Sequence, residues 1–416
     1  MDQVNDGRAM MAFIEDLYPI CRSITGRGLR DTLARIHQEI PIEITEVASG
    51  TRVFDWTVPK EWNIRGGYLD FENGTRIADF ADHNLHVLNY STPIDATMKL
   101  EELDAHLFSL PEQPDLIPYR TSYYSENWGF CLRHRDRELL QPGEYRAVID
   151  STLTDGSLTL GELYIPGRSD EEIFVYSHAC HPSLANDNLS GLAVTVWWAR
   201  HVAGRDDRRY SYRFVWGPGT IGSITWLARN QDRLQKIRHG VVAVLLGRPG
   251  PFHLKRSRSG SDELESVAQS VLSGLPSGVR MLEFDPYGYD ERQFCSPGID
   301  LPLCRLSRAP NDAYPEYHTS ADNLDLVSAD ALEEALAACT LIGDVLDDNR
   351  LLVNELPMCE PQLGKRGLYE ATGGASPAKR THAMLWLLNQ CDGTKSLFDI
   401  AKRAQLDFET VTSAAL

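Results

Sequence analysis

The residues best suited to chemistry lie in one short stretch, SHACHPSLANDNLSG (177–191), which holds His178, His181 and Asp187. Neutral imidazole and carboxylate are ligand types that zinc takes from loops, and His178 and Asp187 stand close enough along the chain to share one ion. A lone histidine at a strand end is more often an ordinary polar residue. Two histidines, an aspartate and an Asn-Asp-Asn turn together favour a metal site. His181 is a further ligand candidate beside His178. Ser190 is a weak nucleophile candidate, because its place at a helix start fits packing or capping better. The chain has no Walker-type loop and no GxGxxG; GRPGPF (247–252) lacks the lysine and helix start that phosphate cradles use.

These residues need elements to position them. EEIFVYSHA (171–179) is a continuous apolar run of the buried-strand kind and delivers His178 at its carboxyl end, where open α/β sheets place their sites. LSGLAVTVWWARHV (189–202) follows as a helix. YRFVWG (212–217), GVVAVLLG (240–247) and LPLCRLS (301–307) read as further strands. TIGSITWLARNQ (220–231), DELESVAQSVLSGL (262–275) and ADALEEALAACTLIGDVLDD (329–348) read as helices. The alternation predicts an α/β fold with a mostly parallel sheet and helices on both faces. Residues 9–39 carry helical periodicity with a restart near Gly26, and IEITEVA (42–48) alternates as a strand.

From 51 to 156, short β-like runs sit between Pro, Gly, Asn and Asp clusters, and LEELDAHLFSL (100–110) is the one helical pattern. The expected organisation is an α/β domain over 1–50 and 157–350, with a β-rich domain inserted at 51–156. LGKRGLYEATGGASPAKR (363–380) has linker composition. Residues 378–416 read as three short helices, a partial winged-helix-like segment. Its charges nearly cancel and form no basic stripe, so a structural or docking role is expected in place of DNA reading. KRSRSG (255–260) reads as a solvated basic edge.

With 416 residues, 42% apolar and 24% charged, the chain is a globular protein of more than one domain. It has no run of membrane-spanning length, and its first residues lack a secretory pattern, so a soluble, cytoplasmic protein is expected. A net charge of −18 argues against a general nucleic-acid binder. The eight scattered cysteines form no CxxC pair and read as reduced thiols.

HACHPSLANDNLSG resembles the HxD strand end and D-N-x-S-G helix start of M28-type zinc aminopeptidases. The chain is more closely similar to a bacterial aminopeptidase-like branch (DUF4910) with an inserted β-domain (DUF2172) and a C-terminal winged helix. PGTIGSITWL (218–227), DERQFCSPGIDLP (290–302) and YPEYHTSADNLD (314–325) carry that likeness, which covers nearly the whole chain. The resemblance implies a zinc-exopeptidase-like fold, with His178 as the first metal ligand, Asp187 as the aspartate that bridges two metals, and His318 as the last ligand. It places Asp322 and Asp325 as groups that accept from a ligand imidazole or cap the following helix.

The departures from that pattern redirect the chemistry. Where the M28 group has a Glu-Glu pair after its third strand, this chain has Gly219 and Thr220, and Cys180 stands at the acid of HxD. A glycine accepts no proton. Arg248 occupies the place of the next aspartate ligand, and a guanidinium has no lone pair to offer a metal. One zinc at most is therefore expected, held if bound by His178 or His181 with Asp187 and His318. Asp290 and Glu291 become the leading base candidates, although a surface turn is the plainer reading for either alone. Tyr317 is a candidate oxyanion donor. Thr220, Arg248 and Arg292 are candidate substrate contacts, and an arginine in place of an acid hints at an anionic substrate. The expected function is zinc-dependent hydrolysis of an amide or peptide-like bond in a small molecule. The alternatives are a one-zinc acyl-transfer or cyclising enzyme of a biosynthetic pathway, as in glutaminyl cyclases, or a non-catalytic ligand-binding relative. A homo-oligomer stays open.

Overall fold

The computed structural model describes residues 6–260, 263–310, 313–368 and 378–416. Eight strands form the central sheet: β1 (Glu43–Ala48), β2 (Ser157–Ile165), β3 (Glu172–His178), β4 (Ser211–Gly217), β5 (Ile237–Ala243), β6 (Phe252–Lys255), β7 (Val279–Leu282) and β8 (Leu303–Ser307). Their order is β1-β2-β4-β3-β5-β8-β6-β7. The centre is parallel, β4-β3-β5-β8, while β1 and β2 on one edge and β6 against β8 on the other run antiparallel. Every residue of β3, β4 and β8 is buried, as strands covered on both faces require.

Side-chain alternation shows how the faces are covered. Phe174 and Tyr176 of β3 meet Phe294, and Phe174 also meets Trp226 of the helix Ile221–Arg229. Phe214 and Trp216 of β4 point the other way, Phe214 against Trp198 and Trp216 donating to Thr195 Oγ1, both on the helix Gly191–Ala203. His178 shares the face of Phe174 and Tyr176.

The inserted segment leaves the sheet after β1 and returns on β2, and Ala48 lies opposite Ser157 in that antiparallel pair. Because the two ends meet, a long excursion adds little closure entropy. Between them, an antiparallel sheet of Arg76–Asp79, Glu61–Phe71, Glu144–Thr154 and Ile94–Lys99 builds its own core around Leu69, Leu103, Phe130 and Tyr145. LEELDAHLFSL is α-helical over Leu100–Leu103 and tightens to a 3-10 turn over Asp104–His106, after which Leu107–Phe108 pairs as a strand with Phe130–Cys131.

Residues 1–340 and 341–416 form two compact units. In the second, helices Lys379–Gln390, Leu397–Ala404 and Phe408–Ala415 enclose Leu387, Leu397, Ile400 and Val411. Its strand Asp392–Ser396 pairs with Leu351–Val353, so this unit begins well before residue 378. Half of the linker-like segment, residues 369–377, lies outside the described residues. Among the described residues no helix is long and apolar enough to cross a membrane, and all eight cysteines are free thiols.

Candidate metal centre

The chain that leaves β3 after His178 must turn within a buried region, where each backbone polar group needs a partner. Its Asn, Asp and Ser side chains supply them. Asn188 donates to Ser177 Oγ (2.9 Å) and the His178 carbonyl (3.0 Å), and accepts from the Leu245 N–H (3.1 Å). Asn186 Oδ1 accepts from the N–H groups of Gly247 (3.1 Å) and Arg248 (3.2 Å). Ser190 donates to the Asn186 carbonyl (2.7 Å) and accepts from the Leu246 N–H (2.9 Å), so it serves packing and not nucleophilic attack. The loop is thereby stitched to the end of β5. The Asp187–Asn188 peptide is cis.

Asp322 fixes the same loop from the far side. Its carboxylate accepts from the N–H groups of Asn186 (2.6 Å) and Asp187 (3.0 Å), and from the Tyr314 hydroxyl (3.3 Å). It therefore grips the backbone of Asp187 and no ligand imidazole. Asp325 lies in the short turn Leu324–Leu326, whose cap is the Asn323 side chain.

Asp187, fully buried, is the focus of the site. Its Oδ1 accepts from His178 Nε2 at 3.0 Å, its Oδ2 from His318 Nε2 at 3.0 Å, and His181 Nε2 stands 3.9 Å from Oδ2. Ligand atoms of His178, His181 and Asp187 all lie within 4.8 Å of one another. Three imidazoles around one carboxylate match the N and O donors of a zinc site. Aromatic rings fix the imidazoles: Tyr317 stacks on His318 (3.9 Å, 11°) and Tyr289 lies parallel to His178 (5.4 Å, 14°). Although burial raises the Asp187 carboxyl, His181 and then the bonds from His178 and His318 hold it well below the usual range. Burial drives His181 well below the ordinary histidine value, so this ring is neutral, as a ligand must be.

The turn after β4 forms the opposite wall. Thr220 has φ +64° and ψ −68°, and the Ile221 N–H donates to the Gly219 carbonyl at 2.9 Å, a strained γ-turn. A Cβ built on Gly219 would meet nothing closer than Cys180 Sγ at 3.6 Å and Asp290 Oδ2 at 3.8 Å. Asp290 thus reaches toward the space that a longer side chain at 219 would use. Its Oδ1 accepts from the Thr220 N–H (2.7 Å) and Ser223 Oγ (2.6 Å). Burial raises its pKa, against the lowering effects of His178, Ser223 and Thr220.

Glu291 is a correction to the sequence reading. It is fully buried, and its Oε1 is held by Lys255 Nζ (2.9 Å) and Arg305 Nη1 (3.3 Å), which makes it a structural ion pair and not a base. The same contact removes Lys255 from the supposed solvated cluster. Arg256 pairs with Glu265, and Arg258 with Asp300.

Arg248 lies over the Tyr314 ring at 5.1 Å, and Arg292 Nη2 stands 3.5 Å from Thr220 Oγ1. Among the described residues neither arginine forms an ion pair, and the buried Nε of each has no hydrogen-bond partner. Two contributions come from outside the motifs singled out in the sequence. Tyr119, from the inserted module, donates its N–H to the His318 carbonyl (2.7 Å) and sets its ring against His181 (5.0 Å) and His318 (5.1 Å). Arg22 donates from Nε to the His181 carbonyl (2.9 Å). The run of tyrosines in IPYRTSYY was the available hint.

A model of the family described as domain of unknown function DUF4910 matches residues 11–349, and a winged helix-turn-helix model matches 350–416. A Clostridium acetobutylicum protein, named for polysaccharide biosynthesis and an aminopeptidase-like domain, is 46% identical over 410 residues, covering 98% of this chain and 94% of its own length. A crystal structure from the same organism, of a protein named as a candidate peptidase, superposes with a TM-score of 0.93 at 45% identity, covering 99% of this chain and 95% of that one. The zinc aminopeptidase BSAP from Bacillus subtilis gives a TM-score of 0.57 at 14% identity (80% and 94% covered). An Acidobacteriales bacterium glutaminyl cyclase gives 0.50 at 13% (82% and 94% covered). These last two likenesses are of fold.

Proposed function

The chain belongs to the DUF4910 family, and from that premise we propose that it is a zinc-dependent, hydrolase-like enzyme acting on an amide or peptide-like bond of a small substrate at a one-metal centre. The observation that carries this reading is the convergence of His178, His181 and His318 on buried Asp187, while the wall that would hold a second metal offers Gly219, Thr220 and Arg248. His178, Asp187 and His318 would hold the ion, with His181 as the alternative imidazole. Zinc so held supplies Lewis acidity toward a carbonyl and activates water near neutral pH.

The chain's own groups do the rest. Asp290, raised by burial, accepts the proton that the nucleophile gives up, because a base works best with its pKa drawn toward the working pH. Tyr317, stacked on His318, donates to the developing oxyanion. Thr220 keeps Asp290 in place through its N–H. Arg248 and Arg292, which form no ion pair among the described residues, bind an anionic group of the substrate. The name of the Clostridium acetobutylicum relative makes a biosynthetic substrate the natural one to try.

Metal analysis is the direct test. One equivalent of zinc, lost in His318→Ala, is the expected result; no zinc at saturating metal overturns the reading and leaves a ligand-binding protein. A second reading, one-zinc acyl transfer or cyclisation, draws support from Gly219, since cyclisation consumes no water. Incorporation of ¹⁸O from labelled water into the product separates the two.

A further inference from the structure

The inserted module shows large aromatic side chains to solvent beside the proposed site. Phe54 is 44% exposed, Trp56 38% and Tyr124 49%. Phe54 and Trp56 belong to the hairpin of Arg52–Val53 and Trp56–Thr57, and this hairpin packs on the helix Ile221–Arg229 that starts at the Thr220 turn. Tyr124 follows Tyr123, whose hydroxyl bonds that of Tyr119 at 2.7 Å, and the Tyr119 ring lies against His181 and His318. A line of aromatic rings therefore runs from the metal-facing histidines out to the surface. It ends where Trp56 and Tyr124 meet edge to face, 5.3 Å apart at 72°.

The fold gains little from this arrangement. Phe54 (φ +54°) and Tyr124 (φ +66°) both sit in the left-handed region, where a bulky side chain is strained and glycine or asparagine would relieve the turn. Strain and aromatic exposure at one edge are features that binding sites retain.

We propose that Trp56 and Tyr124 form a stacking subsite for a sugar ring of the substrate, a proposal that rests on the placement of the reaction at Asp187 and Asp290. Two rings at 72° offer single open faces, whereas a nucleobase is best served by a parallel slot. The C–H face of a pyranose fits one open ring face. Glu126, two residues along from Tyr124 and paired with Lys60 at 3.2 Å, would offer the sugar's hydroxyls an exposed polar partner.

The test is saturation-transfer NMR on the full chain, with N-acetylglucosamine and adenosine as separate probes. The expected result is saturation of the sugar's ring protons, with affinity reduced roughly tenfold in Trp56→Ala and in Tyr124→Ala and kept in Trp56→Phe. Both alanine sites are exposed, so the fold survives. The sugar signal persists in His318→Ala, so failure of the zinc reading registers separately, as absent metal with sugar still bound. Unchanged sugar binding in both alanine variants, no sugar signal in the wild type, or tighter adenosine binding lost in the same variants would each overturn the proposal.

Discussion

The two walls of the site are built differently. The wall after β3 is a dense polar lattice: Asn186, Asn188, Ser190 and Asp322 satisfy backbone groups around Asp187, and each imidazole is steadied by a ring, a carboxylate or both. The wall after β4 is sparse. It consists of a glycine, a strained threonine and a carboxylate, Asp290, that arrives from a distant loop. A metal ligand must be held by a shell that fixes its direction. A proton acceptor needs only reach and a suitable pKa, so it can be supplied by another segment. On this view a glutamate at 219 can be absent without loss of the reaction.

The largest expected effect tests the dense wall. Asp187→Asn keeps the shape but removes the charge on which three imidazoles converge, and zinc affinity should fall by more than ~100-fold, the upper range for loss of a supporting group alone. Competition against a chromophoric chelator measures it. Affinity within ~3-fold of wild type would mean that Asp187 is a structural acceptor and no ligand.

The sparse wall should respond in rate and not in metal content. Asp290→Asn is expected to lower kcat on aminoacyl p-nitroanilides by ~10²–10⁴ with zinc retained. Asp290 is active when deprotonated, and burial raises its pKa, so kcat should fall as pH drops through a limb above the ordinary aspartate value. Gly219→Glu, for which the backbone leaves room, should restore part of the rate to Asp290→Asn. If Gly219→Glu instead speeds an otherwise intact enzyme ~100-fold, Asp290 is no effective base.

The legibility of each wall in the sequence follows from the range of its contacts. β3 was readable because its centre, IFVY (173–176), is an unbroken apolar run, and a strand buried on both faces has no polar alternation there to hide it. The polar lattice was half readable. Asn186 to Ser190 lie together in sequence, but that Asp322 grips their backbone depends on a contact across 136 positions. Glu291 looked like a surface acid because Lys255 and Arg305, which neutralise it, come from strands β6 and β8. LEELDAHLFSL has helical spacing, yet pairing of Leu107–Phe108 with Phe130–Cys131 stops the helical turns at His106.

A smaller effect concerns the unpaired arginines at the edges of the two walls. Glutamyl p-nitroanilide should be preferred over the leucyl compound, and Arg248→Met with Arg292→Met should erase a preference of roughly tenfold, the worth of one charge-assisted contact. Equal rates on both compounds in the wild type would assign these arginines to something other than an anionic substrate.

The smallest effect isolates the strain. Thr220 sits in a classic γ-turn, with φ +64° and a β-branched side chain that the region disfavours. Thr220→Gly keeps the N–H that Asp290 uses and removes the Cβ clash, so the folded state should gain about 1 kcal/mol, less what glycine returns as unfolded-chain entropy. Urea titration reads the gain. Activity should move the other way, because a relaxed turn lets the Thr220 N–H wander from the 2.7 Å contact that fixes Asp290. A variant that is both more stable and fully active would show that the strain does nothing for the base. The sparse wall would then be a remnant, and the dense wall would carry the function alone.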